Sequence, residues 1–116
     1  MLLYLGKVYQ IKIMKNWVVE SKELFRTITR LKTEKQTRNF LRDLLTEQEI
    51  IEFSNRWKAA QMLEEKISYA KISEATGLSS RTVARISKWL NTGMGGYKKM
   101  ISELHRGNSS LGRGLS

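Results

Sequence analysis

The sequence predicts an all-α protein with a helix-turn-helix in its C-terminal half, at residues 68–91. None of the 116 residues is proline, a residue that helix interiors exclude. Apolar side chains recur at helical spacing through residues 17–63, as they do in helices that bury one face. Residues 68–91 contain serine and glycine where one short helix would end and a second would begin.

The composition is that of one small, basic protein. Hydrophobic residues make up 41% of the chain, which is too many for a chain disordered by composition. There is no cysteine, which excludes disulfides and zinc fingers and is compatible with a reducing cytoplasm. The net charge of +10 points to a polyanionic partner, either nucleic acid or an anionic membrane surface. A basic surface that simply faces solvent is the alternative.

We expect residues 1–15 to be an N-terminal extension outside the folded domain, which we place at residues 16–106. The run MLLYLGKVYQIKIM is apolar but is interrupted by Gly6, Lys7 and Lys12. It is shorter than the roughly twenty apolar residues of a membrane-spanning helix, and it lacks the features of a signal peptide. We therefore expect no membrane partner. The extension is either disordered or a misassigned start, with translation beginning at Met14.

The spacing of apolar residues predicts three helices before the helix-turn-helix. The first covers residues 16–31. Thr33 and Gln36 predict a capping box that opens the second helix, and Thr46 and Glu49 predict another that opens a longer third helix. A last helix is expected over Tyr97–His105, after a glycine-rich break, and residues 107–116 are expected to form a flexible tail.

The helix-turn-helix is predicted from small, apolar and glycine residues that agree in register. Ser68 can cap the first helix and Gly77 can end it, while Ser79 or Ser80 can cap the second. Ser73 supplies a small side chain where the two helices would cross. The apolar anchors between the helices are Ile72, Leu78, Val83 and Ile86.

The outward face of the second helix has the composition of a recognition helix. Arginine can donate two hydrogen bonds to guanine in the major groove, and serine hydroxyls can bind phosphate. We therefore expect double-stranded DNA as the partner. The expected DNA contacts are Tyr69, Lys71, Ser79, Ser80, Arg81, Thr82, Arg85 and Lys88. A plain helical hairpin with a solvated basic face is the alternative.

From Leu41 to Tyr97 the chain resembles the tryptophan repressor family. The resemblance rests on the pair Leu45–Thr46, on Arg56, on the helix-turn-helix and on the pattern N-x-G-x-G-G-Y at residues 91–97. This last pattern resembles an uncharacterised bacterial subgroup of Trp-repressor-like proteins. The resemblance implies an all-helical, intertwined homodimer in which the N-terminal helices of both subunits form one core.

The resemblance also identifies the positions that bind the corepressor in the tryptophan repressor. Thr46, Arg56 and Arg85 match the threonine and the two arginines that hold the amino acid. Ile86 stands where the repressor has a glycine, and Trp89 where it has a serine. These two bulky side chains would occupy the pocket, and Trp89 would itself stand in for the ligand. We therefore expect no tryptophan corepressor and no other cofactor.

The sequence predicts a transcriptional regulator, a repressor by preference, and not an enzyme. No set of side chains suggests nucleophilic catalysis, and His105 has no second histidine or cysteine with which to bind a metal. Two alternatives remain open. The chain could be the DNA-binding module or relic of a transposase or recombinase, or a structural protein that binds nucleic acid without sequence preference.

Overall fold

A computed structural model describes the backbone of residues 16–115 and the side chains of residues 16–107. All regular secondary structure in this range is helical, which confirms the predicted all-α class. The predicted N-terminal extension, residues 1–15, lies outside the described residues.

Seven helices follow one another along the described chain. They are α1 (Trp17–Glu20), α2 (Lys22–Ile28), α3 (Glu34–Leu44), α4 (Glu47–Glu64), α5 (Tyr69–Thr76), α6 (Ser80–Thr92) and α7 (Gly96–Leu115). They fall into two compact units that divide between Leu44 and Leu45. The N-terminal unit contains α1 to α3, and the C-terminal unit contains α4 to α7.

The N-terminal unit begins with two short helices where the sequence predicted one helix. The break lies at Ser21, whose hydroxyl donates a 2.6 Å hydrogen bond to the carbonyl oxygen of Trp17. Such a bond often bends a helix, but Ser54 makes the same bond at 2.7 Å within a continuous helix, so the hydroxyl alone does not explain the break. The ring of Trp17 meets the ring of Phe25 edge-on at 6.0 Å, so the two short helices remain in contact.

The predicted capping box before α3 is present in a shifted form. The backbone N–H of Gln36 donates to the Thr33 hydroxyl at 3.1 Å, as predicted. The Gln36 side chain accepts from the backbone N–H of Lys32 at 2.9 Å, one residue earlier than in the standard motif. None of the described side chains in this unit is buried.

The C-terminal unit begins with the second predicted capping box, which is confirmed. The Thr46 hydroxyl accepts from the backbone N–H of Glu49 at 3.1 Å, and the Glu49 carboxylate accepts from the backbone N–H of Thr46 at 2.9 Å. The hydrogen bond that the carboxylate accepts from the Thr46 backbone favours its charged form, and this lowers the pKa of Glu49 below its usual value. The box fixes the start of α4, the helix that contributes Ala59, Ala60 and Leu63 to the core described next.

One apolar core joins the four helices of the C-terminal unit. Its buried residues come from α4, α5, α6 and α7. They are Ala59, Ala60, Leu63, Ile72, Val83, Ile86, Leu90 and Ile101. Two alanines on α4 leave room for the other helices to approach closely, and Ile72 and Ile86 are the largest side chains that are fully buried. This core holds α5 and α6 in place against α4.

The last helix is longer than predicted. We expected it to end at His105, but α7 continues to Leu115. We expected a flexible tail from residue 107 onward because residues 107–116 show no helical periodicity, whereas the structure keeps Gly107 within the helix. Glycine weakens a helix without preventing it, and the chain contains no proline to stop the helix. The flexibility expected of residues 107–116 stays a prediction.

Candidate nucleic-acid interface

The first helix of the predicted helix-turn-helix begins and ends where the sequence indicated. The hydroxyl of Ser68 accepts a hydrogen bond from the backbone N–H of Lys71 at 3.3 Å. Gly77 ends α5 with a φ of 73°, in the left-handed region that glycine adopts without steric cost. The hydroxyl of Thr76 accepts from the backbone N–H of Leu78 at 3.2 Å, which fixes the turn before α6.

The cap of the second helix is Ser79, the first of the two serines considered. Its Oγ accepts from the backbone N–H of Thr82 at 3.1 Å and donates to the Thr82 hydroxyl at 3.0 Å. Ser80 is therefore the first residue of α6 and is exposed. Of the predicted contact residues on α6, Thr82 is the one that is half-buried and joined to the cap.

The two faces of α6 differ sharply in chemistry and in burial. Val83, Ile86 and Leu90 point into the core. Arg81, Arg85 and Lys88 are exposed on the other side of the same helix. No acidic residue occurs in α6, and among the described side chains these three cations form no ion pair. Their charge is therefore available to an anionic partner.

The remaining predicted contact residues lie at the start of α5. Tyr69 and Lys71 belong to its first turn, and both are exposed. Because α5 and α6 pack against each other, the structure holds these side chains and the α6 cations on one rigid body. All eight predicted DNA-contact residues thus lie in a single compact unit, and seven of them are exposed.

The positions that match the corepressor site lie on α4, at its cap and on α6. Arg56 donates to the Glu52 carboxylate at 3.4 Å and lies over the Phe53 ring at 5.9 Å. The Arg56 Nε atom is buried without a hydrogen-bond partner among the described atoms. Ile86 is fully buried in the core, whereas Trp89 is about half exposed.

Trp89 lines an apolar pocket that the sequence analysis did not find. The pocket has a volume of about 670 Å³. Its lining residues are Trp57, Trp89, Gly93, Met94, Gly96, Tyr97, Met100 and Leu104. The Trp57 and Tyr97 rings stack at 6.1 Å. Trp57 belongs to the apolar pattern of residues 17–63, and no periodic signal joined it to the glycine-rich turn and α7.

Gly93 gives this turn its close approach to α6. A Cβ atom at Gly93 would lie 2.3 Å from the carbonyl oxygen of Trp89, a distance that real side chains do not tolerate. Any other residue would therefore displace the backbone between α6 and α7. This confirms the prediction that the glycines after residue 91 form a helix-ending turn.

Lys66 is a second feature that sequence reasoning missed. It has a φ of 65° and is the one residue other than glycine with positive φ in the described chain. The backbone N–H of Lys66 donates to the carbonyl oxygen of Leu63 at 3.0 Å, and the backbone N–H of Ile67 donates to the carbonyl oxygen of Met62 at 3.1 Å. This pair of bonds forms a Schellman motif that ends α4. The apolar residues Met62 and Ile67, five apart, were the available signal.

Two other kinds of site are absent from the part of the chain that the structure describes. No described helix is long and apolar enough to cross a membrane. No group of three or more histidine, cysteine, aspartate or glutamate side chains in the same part is placed to hold a metal ion.

Comparison with known proteins places this geometry among Trp-repressor-like structures. The model of the family described as "Trp repressor protein" matches residues 19–105. The uncharacterized protein YerC of Bacillus subtilis is 34% identical over 85 residues, which are 73% of this chain and 82% of YerC.

Two solved structures resemble the chain over most of its length. The TrpR-like protein from Eubacterium eligens is 35% identical, with a TM-score of 0.70 over 81% of this chain and 95% of that one. A candidate Trp repressor from Staphylococcus aureus is 28% identical, with a TM-score of 0.69 over 83% of this chain and 94% of that one.

Proposed function

Because the chain belongs to the Trp repressor protein family, we propose that it is a sequence-specific transcriptional repressor that reads DNA as a homodimer without a tryptophan corepressor. The observation that supports this best is the exposed, unpaired basic face of α6, held rigidly by a core on its opposite face. In this proposal the protein acts in the cytoplasm and performs no catalysis.

The recognition helix would enter the major groove by its N-terminal half. Arg81 and Arg85 can donate paired hydrogen bonds to guanine, and Ala84 between them permits close approach. Ser79, Ser80 and Lys88 would contact the sugar-phosphate backbone, which positions the helix without reading sequence. Tyr69 and Lys71 would hold the backbone beside α5. Thr82 would act mainly through the cap that orients Ser79.

Two side chains argue against a tryptophan corepressor. The position that is glycine in the tryptophan repressor is Ile86 here, and its side chain fills the core. Trp89, where the tryptophan repressor has a serine, places an indole of the protein itself on the wall of the apolar pocket. We expect free L-tryptophan to leave DNA affinity unchanged. In an anisotropy titration with a bound duplex, a tryptophan-dependent gain of tenfold or more would contradict this part of the proposal.

The homodimer is supported by apolar surface on both units. In the N-terminal unit, the exposed fractions of Trp17 and Val19 are 59% and 60%. In the C-terminal unit, Met94, Met100 and Leu104 are exposed around the apolar pocket. Contiguous apolar surface of this kind marks an interaction site. We propose that α1 and α2 of a second copy cover this pocket, as in an isologous dimer.

A glutamate in place of Met100 should convert the dimer to monomers. The new carboxylate would be buried without a partner in the covered pocket, which is strongly unfavourable. Sedimentation velocity should give about 27 kDa for the wild type, twice the chain mass of 13.5 kDa, and about 13.5 kDa for Met100→Glu. Ser102→Glu is the matched control, since Ser102 is exposed on α7 and does not line the pocket. A monomeric wild type, or equal effects of both variants, would contradict the proposed interface.

A further inference from the structure

We propose that Lys66 binds a phosphate of the DNA backbone at the edge of the groove that α6 reads, an inference that rests on the proposed DNA-binding function. Lys66 was not among the predicted contact residues. Its backbone conformation, its surroundings and its position beside α6 together indicate this role.

The backbone at Lys66 favours a different residue. Glycine is the usual residue at this left-handed position of a Schellman motif, and any residue with a Cβ is disfavoured there. The local fold therefore gains nothing from lysine at this position. The side chain itself is exposed, and among the described residues it forms no ion pair.

The surroundings of Lys66 suit an anion. Lys66 lines a polar groove of about 300 Å³ together with Ser68, Tyr69, Ser87 and Asn91. These four residues contribute hydroxyl and amide groups and no charge. One acid, Glu64, also lines the groove.

The charge of Glu64 is already compensated from outside the groove. Lys98 on α7 pairs with the Glu64 carboxylate at 3.1 Å, and Lys98 does not line the groove. Lys66 therefore contributes a positive charge to this groove, and among the described residues that charge has no ion-pair partner.

The groove flanks α6 on the side opposite the apolar pocket. Ser87 and Asn91 face the groove, whereas Trp89 faces the pocket. A helix in the major groove has a phosphate strand on either side, because that groove is only about 12 Å wide. On the α5 side of the recognition helix, the strand would pass the turn that contains Lys66, next to Tyr69 and Lys71. Lys66 would extend the phosphate contacts beyond the start of α5.

The variant Lys66→Gly distinguishes a structural role of Lys66 from a contact with DNA, because it should raise the stability of the protein but lower its affinity for DNA. Relief of the left-handed lysine should raise Tm by about 3 °C. Loss of the phosphate contact should weaken binding to a duplex by about fivefold. It should also make the negative slope of log K against log salt less steep, by about 0.9 for each Lys66 that is replaced and hence by about 1.8 for a dimer. A structural role for Lys66 would not produce a more stable protein that binds DNA less tightly.

Three further variants make the test specific. Lys66→Asn removes the charge but tolerates the left-handed backbone, so it should reproduce the loss of salt slope. Lys66→Arg should retain wild-type binding. Lys99→Gln removes the same charge from α7, which does not line the groove, and should leave the slope unchanged.

Two outcomes would separate the inference from the proposed function. If the wild type binds DNA and Arg81→Ala weakens it, but both neutral Lys66 variants keep the wild-type slope, the Lys66 contact is wrong. If the wild type itself does not bind duplex DNA, the proposed function fails and the contact fails with it.

Discussion

Replacing Ile86 with alanine is expected to lower the free energy of unfolding by about 2–5 kcal/mol, the usual range for an aliphatic side chain truncated in a core. Ile86 has no exposed surface, and it lies in the same cluster as Ala60, Ile72 and Val83. Ala59 and Ala60 on α4 have side chains too small to fill the cavity that the substitution would leave. We therefore expect a loss in the upper part of this range. Urea denaturation at fixed protein concentration measures the effect, since dimerisation would make stability depend on concentration.

Ile51→Ala is the matched control for Ile86→Ala. The same side chain is truncated on α4, but Ile51 is 53% exposed. We expect a change within about 0.5 kcal/mol for this variant if the second copy does not cover Ile51. A loss below about 1 kcal/mol for Ile86→Ala would contradict the burial of Ile86 in the core, and would remove one of the two arguments against a tryptophan corepressor.

The variant Arg81→Ala should lose base selectivity as well as affinity. Arg81 is exposed in the first turn of α6 and has no acidic partner among the described side chains. If it donates two hydrogen bonds to a guanine, truncation should cost about 1–3 kcal/mol at each half-site. Because a dimer presents two copies, the loss for a full site should be about twice that value. Competition between the preferred duplex and single-base variants measures the selectivity.

Lys71→Ala provides the contrast for Arg81→Ala. A lysine that contacts phosphate contributes to all sequences alike, so this variant should weaken binding to preferred and unrelated duplexes by the same factor. Unchanged selectivity in Arg81→Ala would remove Arg81 from base readout. Altered selectivity in Lys71→Ala would mean that α5 also reads bases.

Much of the C-terminal unit could be predicted from the sequence because its signals are local. Ser68, Gly77 and Thr46 act on backbone groups within four residues, so their capping roles follow from the residue types at those spacings. The buried positions of Ile72, Val83 and Ile86 follow from helical periodicity. The same periodicity placed Arg81 and Arg85 on the exposed face.

The features that escaped prediction depend on contacts or conformations that periodicity does not encode. The break at Ser21 falls inside the apolar pattern of residues 17–31 and has no signal in the spacing of those residues. The apolar pocket joins α4, α6 and α7, and Trp57 and Tyr97 meet there although they are forty residues apart. The backbone of Lys66 is left-handed. A glycine or asparagine at this position would have predicted that conformation, whereas a lysine does not.

Selection from a random pool of DNA duplexes, followed by sequencing of the bound fraction, distinguishes sequence-specific binding from binding to phosphate alone. The full chain is used at near-physiological salt, with Arg81→Ala in parallel. We expect an enriched inverted repeat whose half-sites lie about one helical turn, roughly 34–36 Å, apart, and loss of enrichment at a guanine in the variant. Binding without any enriched sequence would contradict the account, and would indicate that the basic face of α6 contacts phosphate alone.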